Sequence, residues 1–165
     1  MIEMNNSDLH SIIYNYKNGQ KSDIENIIIR EFFFEKIKFD YTGLRNNVFE
    51  NCVFDNVVFY DVYLSQSVFK RCIFKNCEFI SIEFGMHQII FEATIFYDTN
   101  FKKTDVLSSS FLRTYFLNCN FSYFDVTGNL FEESRIIDCN TKGLIYSPNA
   151  FDESNLVYPN LTEPM

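Results

Sequence analysis

One residue in five is large and apolar along most of this chain. From Phe39 the series runs Phe39, Leu44, Phe49, Phe54, Phe59, Leu64, Phe69, Phe74, Phe79 and Phe84 without interruption. It slips by two residues and resumes as Phe91, Phe96, Phe101, Val106, Phe111, Phe116, Phe121, Val126, Phe131 and Ile136. After a break at Thr141 the same register holds Tyr146, Phe151, Leu156 and Leu161. Neither the 3.6-residue period of a helix nor the two-residue period of an ordinary strand accommodates such a series. A fixed longer period marks a repeat architecture, in which each unit buries its apolar face only by stacking on its neighbours.

The position two before each large residue carries a second, independent pattern. It reads Thr42, Asn47, Cys52, Val57, Val62, Ser67, Cys72 and Cys77, then Thr94, Thr99, Thr104, Ser109, Thr114 and Cys119, with Asn129, Ser134 and Cys139 further on. Phe124 and Leu144 are the exceptions. Side chains two apart lie on one face of an extended segment. Each unit therefore points one large and one small group inward and then turns a corner. Four such sides close a square coil of about 20 residues, and coils stack at the inter-strand spacing of about 4.8 Å. At that rise, residues 34–163 make about six and a half coils and a rod about 30 Å long.

The pattern resembles the pentapeptide-repeat family over residues 34–163, closest in style to its Qnr- and MfpA-type proteins. The resemblance implies an all-β fold, a right-handed quadrilateral parallel β-helix. The irregular segment 85–90 (Gly85 to Ile90) departs from the strict period and predicts a two-residue bulge or small corner loop, with Ile89 still inward. A β-helix leaves unpaired strand edges at both ends, and these need covers. Residues 1–33 supply a helical cap in this reading. Ser7 or Asp8 starts an amphipathic helix over 7–17, with Leu9, Ile12, Ile13 and Tyr16 on one face and Asn18-Gly19 as its stop. Ser22 and Glu25 form a capping-box pattern that predicts a second short helix carrying Ile24, Ile27 and Ile28. Pro148, Pro159 and Pro164 near the other end block further strand addition.

Composition narrows the function. The chain has 20 Phe and 10 Tyr but no Trp, and its formal charge is −8. A net acidic chain lacks the basic stripe that phosphate contacts require, so direct nucleic-acid binding is not expected. No apolar run of about 18 residues occurs, so no membrane span is expected. The opening MIEMNNSDLH has no basic and apolar signal pattern. The expectation is a cytoplasmic, bacterial protein. All five cysteines, Cys52, Cys72, Cys77, Cys119 and Cys139, occupy the small inward slot, where a free thiol behaves as a small hydrophobe. His10 and His87 have no clustered Asp, Glu or Cys at ligand spacing, and no glycine-rich phosphate loop occurs. The sequence therefore offers no catalytic residues, no metal site and no cofactor.

What remains is the outer surface. Residues 20 apart share a wall, which puts Glu92, Glu132, Glu133, Asp152 and Glu153 in one acidic wall, interrupted by Arg113. The next wall lines up Ile95, Tyr97, Tyr115, Leu117, Ile137 and Val157 as an outward apolar stripe, a candidate partner or dimer surface. Lys102, Lys103 and Lys142 add a smaller basic area on the third. The resemblance implies a non-catalytic module that binds DNA gyrase or topoisomerase as an acidic, rod-shaped mimic of duplex DNA. The same surface also suits an immunity or antitoxin-like inhibitor of a toxin domain such as a nuclease, or a structural scaffold that self-associates.

Overall fold

The computed structural model describes residues 1–82 and 86–147. Over them the chain winds into a four-sided parallel β-helix with one short helix at its start. The first wall stacks Ile29, Phe49, Phe69, Phe91, Phe111 and Phe131, and the second Phe34, Phe54, Phe74, Phe96, Phe116 and Ile136. Phe39, Phe59, Phe79 and Phe101 line the third wall. The fourth is held mostly by isolated bridges and a two-stranded pair, Met86–His87 with Val106–Leu107. Each strand is about three residues long, with its middle residue inward and its flanks outward.

Side-chain geometry explains why the inward residue is so often Phe. Rings one coil apart lie nearly parallel: Phe34 on Phe54 at 4.6 Å and 1°, Phe54 on Phe74 at 4.6 Å and 4°. Rings on adjoining walls meet edge to face, as Phe69 does Phe74 at 5.4 Å and 65°. Both arrangements suit the aromatic quadrupole. The small slot has a further duty. Thr94, Thr99 and Thr104 donate their hydroxyls to the carbonyls of Phe69, Phe74 and Phe79, one coil back. Cys72, Cys77 and Cys119 direct their thiols at the carbonyls of Phe49, Phe54 and Phe96 in the same way. Phe124, the misfit in the small series, is buried against Phe101 at 4.9 Å, beside a modest Val126 in the large slot.

The corners require every fifth residue to adopt a left-handed conformation. Among the described residues twenty-two that are not glycine do so, including Asn51, Arg71, Ala93 and Arg113. Their N–H groups bond the next coil, as from Asn51 to the Lys70 carbonyl at 2.9 Å and from Arg71 to that of Glu92 at 2.9 Å.

Helix α1 spans Asn6–Lys17, with Asn5 rather than Ser7 or Asp8 as its N-cap, accepting from the Asp8 N–H at 2.9 Å. Leu9, Ile13 and Tyr16 are buried on the first coil, and the chain leaves through Gly19 at φ +84°. The expected second helix is absent. Strand β2, Ile27–Arg30, stands there, paired on one side with β1, Ile2–Glu3, and on the other with Val48–Glu50. Ile24 and Ile29 are inward, so coil stacking begins ahead of residue 34.

The irregular coil is also placed by its register. Phe69 faces Phe91 and Phe79 faces Phe101, two residues more than elsewhere, yet Met86 faces Val106 at the regular spacing. The register is thus shifted by two residues as far as Ile82 and regular again from Met86, so the change falls ahead of most of the 85–90 span. Met86 fills the slot that the series assigned to Phe84, and Ile89 is inward as expected. Phe84 itself, like Phe151, Leu156, Leu161 and the three prolines, lies outside the described residues.

Candidate partner-binding face

Along the second wall the two outward columns differ. The column before each inward residue reads Phe33, Val53, Ile73, Ile95, Tyr115 and Arg135. The column after it reads Glu35, Asp55, Lys75, Tyr97, Leu117 and Ile137. An apolar strip therefore runs five coils down one column and widens across both in the later coils. Phe33, Ile73, Tyr97 and Tyr115 are exposed, while Ile95, Leu117 and Ile137 are half-buried. The structure brings these sequence-predicted residues together, except that Val157 lies outside the described residues. Phe33, Val53 and Ile73 precede the slip, where the 20-residue step from Ile95 does not lead; a 22-residue step across the irregular coil reaches them. At about 4.8 Å per coil the strip is roughly 24 Å long, enough for the centre of an interface but not for a whole one of about 800 Å² per partner.

The first wall has a different character from the acidic wall expected there. Glu92 is held between Lys70, at 3.4 Å, and Arg113, at 2.9 Å. Two coils earlier, Glu50 is bonded by Arg30, at 2.9 Å, and by Arg71, and Arg30 also reaches Glu3 at 2.6 Å. Charges thus alternate up the wall as a ladder. The bond from Arg30 is the main reason the Glu50 carboxyl sits below its ordinary pKa. Glu132 and Glu133 are exposed at the far end of this ladder, and Asp152 and Glu153 lie outside the described residues. Lys102, Lys103 and Lys142 are exposed on the third wall and its corner.

The thiols serve packing. Cys52, Cys72, Cys77 and Cys119 are buried and Cys139 half-buried, all as free thiols. Burial pushes Cys77 up to about 12, which keeps it a protonated, unreactive thiol at neutral pH. Cys72 and Cys119 are raised by their bonds to Cys52 and Cys139 and by burial. His10 packs on Phe32 with ring centroids 4.9 Å apart. Among the described residues no group of three or more His, Cys, Asp or Glu is arranged to hold a metal ion. No helix among them is long and apolar enough to cross a membrane.

No protein-family model and no curated protein matches the sequence. Solved structures do. The chain is similar to full-length QnrB1, a plasmid-mediated fluoroquinolone resistance protein, with a TM-score of 0.58 and 16% identity over 82% of this chain and 76% of that one. It is similar to a trypsin-treated variant of QnrB1 with a TM-score of 0.55 and 14% identity, over 94% of this chain and 74% of the other. At such identity the likeness is one of fold, and it agrees with the five-residue period, the four stacked walls and the aromatic columns. The chain has the pentapeptide-repeat β-helix fold.

Proposed function

We propose that this protein is a non-catalytic binding module that docks a type II DNA topoisomerase such as gyrase through its second wall. The observation that carries the reading is the continuous apolar strip from Phe33 to Ile137, outward-facing on a six-stranded parallel sheet. Such a strip gains by being covered, and aromatic residues such as Phe33, Tyr97 and Tyr115 are the side chains that dominate protein contacts. The choice of partner draws on the resemblance of the repeats and on the likeness in fold to QnrB1, a resistance protein against drugs of the fluoroquinolone class. A net charge of −8 favours encounter with the basic surface of a DNA-handling enzyme. The ladder on the first wall makes apolar docking, rather than a continuous acidic imitation of DNA, the better description of the contact. Glu50 and Glu92 already have cationic partners of their own.

The test is direct binding of the purified chain to purified gyrase and topoisomerase IV, with Leu117→Asp beside the native protein. The side chain of Leu117 faces outward, so the variant keeps its core. At least a tenfold loss of affinity is expected. Undiminished binding would remove the second wall from the interface. Binding to a nuclease-type toxin domain but to neither topoisomerase would replace the proposed partner with the inhibitor alternative.

A further inference from the structure

Four of the 14 basic residues of this acidic chain meet at one place. Lys17, Lys21, Lys36 and Lys38 line a cleft of about 460 Å³ between the end of α1 and the start of the third wall, with Tyr16 and Asp40. Their charges are incompletely matched. Lys21 and Lys38 share Asp40, the latter at 3.6 Å, and Lys36 is 3.1 Å from Glu35. Among the described residues Lys17 donates only to the Glu35 carbonyl, at 2.8 Å. Four ammonium groups thus meet two carboxylates, and Asp55, one coil on, is engaged by Asn56 at 2.8 Å. The lysines are not needed to finish the helix. The Tyr14 carbonyl already accepts from Asn18, that of Asn15 from Asn18 and Gln20, and that of Tyr16 from Gly19.

The repeat provides its own control. The corner that holds Lys36 at φ +50° is Asn56, Asn76, Asp98, Asn118 and Asp138 in the later coils. Asn and Asp tolerate the left-handed conformation, whereas lysine has no local compensation for it. A less suitable residue stands at the one level where the corner borders the cleft.

We propose that this cleft binds a small phosphate-bearing anion of the diphosphate class. Several flexible ammonium groups around an open volume suit a compact polyanion, which lysine binds as a point charge. The excess of two positive charges matches a ligand carrying two or more negative ones. Isothermal titration of the full chain with sodium pyrophosphate at constant ionic strength tests the idea. Saturable binding of one anion per chain is expected. Lys36→Asn, which installs the residue of the later coils, should weaken it at least tenfold while leaving Tm unchanged or higher. Lys17→Gln should weaken it as well. If ADP binds with the same lysine dependence, the diphosphate is carried on a nucleotide; if only pyrophosphate binds, the free anion is the ligand. Absence of saturable binding, equal affinity for sulfate, or affinity unaffected by both substitutions would overturn the proposal.

Discussion

Each corner residue of this helix pays for its left-handed backbone, and the sequence shows which of them do nothing else. Ala93 sits at φ +50°, and its side chain is a single methyl group. The left-handed region costs an L-residue about 1–2 kcal/mol relative to glycine, and glycine's larger unfolded-state entropy returns part of that. Ala93→Gly is therefore expected to stabilise the protein by about 0.5–1 kcal/mol, read as a higher urea midpoint at unchanged slope. Arg71 shares the same corner column, but its guanidinium bonds Asn51, at 2.8 Å, and Glu50. Glycine there gives up those contacts. The small inward slot yields a matching test. Thr114 donates to the Phe91 carbonyl at 3.1 Å, and its N–H bonds the Ser134 hydroxyl at 2.9 Å. Thr114→Val keeps the shape and removes the donor, so a loss of about 1–2 kcal/mol is expected in the same denaturation experiment. Size at this slot was legible in the sequence. Its hydrogen-bonding duty was not, because Cys, Ser, Thr and Val look alike until the carbonyl one coil back is located.

At the scale of a wall, the aromatic columns and the charge ladder contribute differently. Phe74 is stacked between Phe54, at 4.6 Å, and Phe96, at 4.7 Å, and touches Phe69 edge-on and Phe79 at a tilt. Rigid neighbours on every side prevent collapse, so Phe74→Ala should cost about 3–5 kcal/mol. The ladder contributes in a pH-dependent way. The folded pKa of Glu50 lies below its ordinary value, chiefly through its bond from Arg30, and Asp40 is lowered by Lys21 in the same direction. Such groups stabilise the fold above the unfolded carboxylate pKa of about 4, and the contribution is lost as pH falls through the lower folded value. Tm should therefore fall as pH drops below about 4, and Arg30→Gln should flatten that fall. The inward series was read correctly because a period of five has one structural explanation. The outward ladder was not legible from the acidic residues after the slip, because its cations Arg30, Lys70 and Arg71 precede the slip and a 20-residue step from Glu92 does not reach them. The capping-box pattern at Ser22 and Glu25 misled for a physical reason as well. A local helix signal is worth about a kilocalorie, less than pairing Ile27–Arg30 with strands on both sides. Met86 was overlooked because Phe84 satisfied the same pattern two residues earlier.

For the whole molecule the decisive question is how a stack of identical coils stops growing. Every coil presents to the next the edge that it accepts from the previous one, so an uncovered end is a template for another chain. At the N-terminal end β1 takes the outer edge of β2, and α1 lays Leu9, Ile13 and Tyr16 over the first coil. The Tyr16 hydroxyl, bonded to Thr42 and within 3.2 Å of the Asp40 N–H, ties the helix to the third wall and its corner. At 12 residues α1 is too short to be stable in water alone. The cap and the coil must therefore form together. Deleting residues 1–19 should expose Ile24, Ile29 and Phe32 together with the free edge of Ile27–Arg30. The expected result is concentration-dependent oligomers in light scattering after size exclusion, while the far-ultraviolet circular dichroism of the β-helix is retained. Leu9→Asp combined with Ile13→Asp should produce a weaker form of the same behaviour, because β1 still protects one wall. A truncated chain that stays monomeric with the native Tm would show that the first coil ends the stack unaided, and that α1 owes its place to a role other than capping.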